Sequence, residues 1–217
     1  MTKRKPLILI NFKKVTGKKA TELIEKLNKA DETLKANYKI AVIIQPEDIH
    51  EVSKRTSFSL FIHDIFLKGK LYEVLNKNLL AGGKICGVLL NHPENQLTED
   101  ELHKNFFCAK AHNLKVVLGS TSIAEGKMLN KKYEADYIAI ENVDLIGKNV
   151  SIIEIYPEMT KNAVTSISNN ILLGAGVRNA EDIEHVLKSG GSGVLLSSVI
   201  VGAKDPLQAL INLLKPK

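Results

Sequence analysis

Residues 171–206 read ILLGAGVRNAEDIEHVLKSGGSGVLLSSVIVGAKDP. An apolar run, ILLGA over 171–175, meets glycine and gives way to a stretch of helical period that Gly190-Gly191 closes. A second apolar run, GVLL over 193–196, passes through small residues to Asp205-Pro206, a helix cap with proline at the first helical position. Strand, helix, strand and helix in succession are the repeat of a parallel sheet covered by helices.

The same repeat extends through the rest of the chain. Strand-like runs are expected at LILINF (7–12), KIAVII (39–44), FSLFI (58–62), CGVLL (86–90), KVVL (115–118) and DYIAI (136–140). With the two runs already quoted this makes eight strands in 217 residues, separated by helical segments such as the one opened by the capping-box pattern Thr98-x-x-Glu101. Eight such units fit a closed α/β barrel, (β/α)8, better than an open doubly wound sheet of five or six strands. No proline- or serine-rich linker interrupts the pattern, so one barrel domain over 1–217 is expected. Its functional face should lie at the carboxyl ends of the strands.

Composition narrows the function classes. The basic start Met1-Thr2-Lys3-Arg4-Lys5 leads straight into LILINF, without a signal-peptide core, and no apolar run has the length of a membrane span. A soluble cytoplasmic protein is expected. Cys86 and Cys108 lie far apart without CxxC spacing, so neither a disulfide framework nor a zinc site is indicated, and both are expected to be buried thiols. The net charge of +6 comes from lysines spread along the chain without interleaved aromatics, which argues against nucleic acid and suits a small anionic substrate. The six histidines form no HxH or HxxxH pair.

Polar residues at the strand ends are the candidates for chemistry. Asn11 and Lys13 share one face of the first strand, with Phe12 on the other. His92 and Glu94 follow the fourth strand, with Pro93 between them, and Glu141 directly follows the sixth. Gly174-Ala175-Gly176 and Ser197-Ser198 end the last two strands, where small residues let backbone N–H groups surround a phosphate. Each feature has an ordinary structural reading as a strand exit, a turn, a helix cap or an ion pair. Their combination points to an electrophile, a base and a positive field around a phosphorylated substrate.

Five blocks in order, INFK (10–13), GVLLNHPEN (87–95), DYIAIENVDLIG (136–147), LLGAGV (172–177) and GVLLSSVIVGAKDP (193–206), resemble triosephosphate isomerase in its short archaeal form. The resemblance implies an isomerase that interconverts dihydroxyacetone phosphate and glyceraldehyde 3-phosphate in glycolysis and gluconeogenesis, with no metal and no cofactor. It assigns substrate binding to Asn11 and Lys13, carbonyl polarisation to His92 and proton transfer to Glu141. Glu94 becomes a supporting carboxylate near Lys13, and Gly147, Gly174, Gly176, Ser197 and Ser198 become phosphate donors. Departures from the family pattern stand beside these matches. Pro93 replaces a serine, Gly119 a frequent cysteine and Ile62 a glutamine; residues 63–77 lack the His-Thr-Gly element used between subunits. The lid reads Glu141-Asn142 at its start and Gly147-Lys148-Asn149 at its end, where Glu-Pro and Gly-Thr-Gly are usual. Two classes of function follow: an isomerase with altered lid and assembly, or a barrel paralogue that binds a phosphorylated ligand or a protein partner with little turnover. Other phosphate-gripping barrel enzymes use different residues at strands one, four and six. A homo-oligomer remains open, through a surface other than the usual loop.

Overall fold

The computed structural model describes residues 5–30, 32–64, 66–67, 70–71, 84–146, 148, 150–167 and 170–215. Its centre is a closed eight-stranded parallel barrel. The strands are β1 Leu7–Asn11, β2 Lys39–Ile44, β3 Ser59–His63, β4 Ile85–Leu90, β5 Lys115–Ser120, β6 Tyr137–Glu141, β7 Ile171–Gly174 and β8 Gly193–Leu196. They are arranged in chain order, and β1 pairs with both β2 and β8. A separate antiparallel ladder joins Phe66–Leu67 to Lys70–Leu71 after β3.

Among the described residues, helices lie in the crossovers outside the β3–β4 connection. Those used below are α1 Gly17–Leu27, α2 Glu32–Asn37, α3 Ile49–Arg55, α4 Glu99–Ala111, α5 Ile123–Tyr133, α6 Ile152–Ile155, α7 Met159–Ser166, α8 Ala180–Lys188, α9 Ser198–Val201 and α10 Pro206–Leu214. Their starts are chemically marked. Thr98 and Glu101 bond reciprocally at α4, and Asp205 accepts from the Gln208 N–H at α10, both as the sequence indicates. A second capping box, Asn179 with Asp182, opens α8. No described helix is long and apolar enough to cross a membrane.

Side-chain alternation splits the core in two. Leu9, Ile43, Phe61, Leu89, Val117 and Ala139 belong to a cluster that fills the barrel, while Ile8, Ile10, Phe12, Val42, Val88 and Leu118 pack beneath the helices. Phe61 faces Gly87 in register, and a Cβ at Gly87 would lie 2.2 Å from its ring, so the large residue fills the space the small one leaves.

The eight expected strands are all present, two with the expected bounds and the others with ends moved by one or two residues. Two of these shifts matter. The third strand runs 59–63 instead of 58–62 and the sixth 137–141 instead of 136–140, which makes His63 and Glu141 the last inward residues of their strands. The fifth continues to Ser120 because Gly119 carries no side chain; a Cβ there would come 2.6 Å from the Asn91 carbonyl oxygen. Cys86 and Cys108 are free thiols, only partly buried, which corrects the expectation of full burial. Of the segment 63–77, which lacks the intersubunit element, residues 65, 68–69 and 72–77 lie outside the described residues.

Barrel closure depends on Gly193. It sits opposite Leu7 with φ 154°, and a Cβ built on it would lie 1.9 Å from the Leu7 carbonyl oxygen. A backbone atom cannot rotate aside, so Gly193→Ala is expected to cost ~3 kcal/mol or more. Thermal denaturation followed by circular dichroism should show a fall of roughly 6–12 °C in Tm; a change within 2 °C would mean that the β1–β8 seam is not under this constraint.

Candidate active site

The carboxyl ends of β1, β3, β4 and β6 bring polar groups to one rim. Asn11 is 1% exposed, and its Oδ1 accepts hydrogen bonds from the Lys13 N–H (2.8 Å) and from His63 Nε2 (2.8 Å). An oxygen that already accepts from a backbone N–H can only accept from the ring, so Nε2 carries the His63 proton. The Asn11 Nδ2 donor is buried without a partner. The chain then turns at Lys13, whose φ of 49° is uncommon for a residue with a Cβ. The Lys13 N–H bond and a bond from Gln45 Nε2 to the Lys13 carbonyl (2.7 Å) hold that turn.

After β4, Asn91 anchors the rim by donating to the Gly119 carbonyl (3.1 Å) and accepting from the Leu97 N–H (3.2 Å). Residues 92–95 form a turn closed by the Asn95 N–H on the His92 carbonyl (2.7 Å). Pro93 occupies its second position, where a fixed φ is favoured and no N–H is required. The replaced serine therefore costs this turn no hydrogen bond. The Glu94 N–H donates to His92 Nδ1 (3.1 Å), which leaves Nε2 as the protonated nitrogen of a neutral ring. Glu94 Oε2 reaches back to Lys13 Nζ at 2.8 Å. Burial pushes the Glu94 carboxyl up, but the bond and charge of Lys13, with His92 and Lys14, leave it below its ordinary value.

Glu141 ends β6 with 5% exposure, and its Oε1 lies 3.0 Å from His92 Nε2. The contact is close but badly aligned: neither atom has a hydrogen-bond partner. A proton donor and a carboxylate oxygen thus meet with their bonding capacity unused. Gly174 makes room for this carboxylate, since a Cβ on it would lie 2.4 Å from Glu141 Cγ. Glu141 lines a cleft of about 230 Å³ with Lys13, Gly176, Arg178, Ser197 and Ser198. A second depression of about 220 Å³, lined by His63, Asp64, His92 and Glu94, shares Lys13 with it.

The expected residues therefore converge, with differences of detail. Gly176, Ser197 and Ser198 are on the cleft wall, whereas Gly174 packs against Glu141. The Ser197 hydroxyl donates to the Asn11 carbonyl (2.9 Å) across the β1–β8 seam. Gly147 lies outside the described residues. Asn142, where a proline would restrict the lid, instead accepts from the Asp144 N–H (2.9 Å) and starts a short helical turn, Val143–Leu145. The sequence reading left out His63, Asp64, Gln45 and Arg178.

A sequence model of the family described as triosephosphate isomerase matches residues 6–214. The chain belongs to the triosephosphate isomerase family. Proteins named triosephosphate isomerase from Methanosarcina acetivorans and Thermoplasma volcanium are each 30% identical to it, covering 97% and 95% of this chain and 98% and 97% of their own. One from Pyrobaculum calidifontis is 30% identical over 98% of this chain and 96% of its own.

Two buried neighbours in this barrel, His63 and Asp64, are set in opposite electrostatic senses. Burial, with smaller contributions from the neighbouring His92 and Lys13, lowers the His63 pKa to about 3. Burial raises that of Asp64 to about 7 against the opposing Asn95 hydrogen bond and His92. His63 binds a proton more readily when unfolded, so its contribution to stability is present above pH ~6.5 and is lost as pH falls toward 3. Asp64 gives up its proton more readily when unfolded, so its contribution is present below pH ~3.9 and is lost as pH rises toward 7. Between pH 4.5 and 6.5 the two slopes oppose. Relative to the unsubstituted protein, Asp64→Asn should gain unfolding free energy as pH rises through this window, and His63→Gln should lose it. Urea unfolding at the two pH values measures both; parallel curves would remove these residues as opposed titrating groups.

Proposed function

We propose that this protein interconverts dihydroxyacetone phosphate and glyceraldehyde 3-phosphate by proton transfer through an enediolate. The observation that carries this reading is the buried, unpaired facing of Glu141 Oε1 and His92 Nε2 at 3.0 Å beside the cleft. In the ketone-to-aldehyde direction, Glu141 removes a proton from the carbon bearing the hydroxyl. The adjacent carbonyl oxygen gains charge as it accepts a hydrogen bond from His92 Nε2–H. Lys13 Nζ and Asn11 Nδ2 add a positive charge and a free donor to the same region. Protonated Glu141 then returns the proton to the neighbouring carbon, while the hydroxyl proton passes between the two oxygens with His92 as the relay.

The phosphate end of the substrate is assigned to Gly176, Ser197 and Ser198, with Gly147 as a further backbone donor. Lys148 and Arg178 also line the cleft and have no carboxylate partner among the described residues, which favours a dianion there. We read the chain as one barrel domain acting in the cytoplasm on a small phosphorylated sugar.

Purified protein in a coupled assay converting dihydroxyacetone phosphate tests the activity directly; absence of turnover overturns the proposal. Glu141→Gln should lower kcat by about two to four orders of magnitude, the scale of a lost general base, and leave Tm within a few degrees. Gly174→Ala should act through the same carboxylate. Its Cβ must displace Glu141, and a misplacement on the order of 1 Å is worth about a hundredfold in kcat. A Gly174→Ala enzyme with unchanged kcat would mean that the observed carboxylate position is not the reacting one.

A further inference from the structure

Asp182 carries a carboxylate with no exposed surface that the proposed chemistry does not touch. As the third residue of α8 it bonds to the Asn179 N–H (3.2 Å), while its own N–H donates to Asn179 Oδ1 (2.8 Å). Those two bonds complete the helix cap. Two more donors also reach it: the Arg178 N–H on Oδ2 (2.8 Å) and the Ser151 hydroxyl on Oδ1. Neither is needed to start the helix. Arg178 lines the cleft, and Ser151 opens α6, just beyond the loop that follows Glu141. Next to this junction the Ile152 N–H donates to the Gly176 carbonyl (2.9 Å), and a Cβ on Gly176 would come 3.0 Å from that same nitrogen. Segments 176–178 and 151–152 are thus fastened together, with Asp182 as the common acceptor.

We propose that Asp182 is a positioning residue for phosphate recognition, fixing the backbone of Gly176–Arg178 against Ser151 so that the cleft keeps a shape suited to the anion. This inference rests on the triosephosphate isomerase reading. A carboxylate suits the task because it offers several lone pairs to three converging donors, and a buried charge is tolerated where all of them point at it. An asparagine could keep much of the arrangement, its oxygen toward the two backbone N–H groups and its NH2 toward the Ser151 oxygen. Alanine could keep none of it.

The experiment compares four variants by calorimetric titration with 2-phosphoglycolate and inorganic phosphate, by KM and kcat for dihydroxyacetone phosphate, and by Tm. Asp182→Ala should raise both anion Kd values and KM by about tenfold or more, and Asp182→Asn by less than about fivefold. Asn179→Ala removes the cap residue and should lower Tm while leaving anion Kd within twofold. Ser151→Ala keeps the cap and should weaken anion binding about threefold, so it carries the test if Asp182→Ala does not fold. Wild-type affinity in Asp182→Ala or Ser151→Ala, with only Tm reduced, would make Asp182 a cap and nothing more. A parent protein that neither turns over substrate nor binds phosphate would overturn the functional reading and this inference together; one that does both confines any failure to Asp182.

Discussion

Eight parallel strands can close on themselves only if every strand runs the same way and every crossover returns outside the sheet. Closure at the Leu7–Gly193 seam therefore collects all eight carboxyl ends on one rim. The pleat then determines what that rim displays. Asn11, His63 and Glu141 are each the last inward residue of a strand, so groups 52 and more positions apart in the chain meet without a dedicated binding segment. The sheet places Asn11, His63 and Glu141, and the short turns directly after β1 and β4 place Lys13 and His92.

Asn11 shows how tightly that placement is wired. Its side-chain oxygen holds both the Lys13 turn and the His63 ring, and its carbonyl receives the Ser197 hydroxyl from the neighbouring strand. One residue thus joins the seam, the lysine and the histidine layer. On the opposite side, the 92–95 turn fixes the tautomer of His92 through the Glu94 N–H and places Glu94 beside Lys13. The electrostatic field of the site is set by backbone geometry as much as by charged side chains.

The architecture was legible in the sequence because apolar runs bounded by glycine and polar residues survive an error of one position. The site was less forgiving. Reading β3 as 58–62 leaves His63 beyond the strand, whereas the strand extends to 63 and holds that side chain on the inward face beside Asn11. Thr98-x-x-Glu101 was recognisable as a cap from its residue types, whereas Asn179-x-x-Asp182 was not singled out, and nothing local announces that its aspartate also receives Ser151. The roles of Gly174 and Gly119 depend on which side chain or carbonyl lies opposite, a fact of the assembled barrel alone. Pro93 departs from the family pattern in the sequence, and the turn it occupies shows why it is tolerated.

Gly119 also limits which substitutions the chain can accept. The rim after β4 lies so close to this position that the Asn91 carbonyl and His92 Cα would meet a Cβ at 2.6 and 2.9 Å. A residue larger than glycine cannot enter there by a single exchange, because the backbone carrying His92 would first have to withdraw. The order of substitutions is therefore constrained: the neighbouring strand end must loosen before position 119 can grow. Position 119 is closed to growth by the backbone that carries His92, which ties the size of one residue to the placement of another.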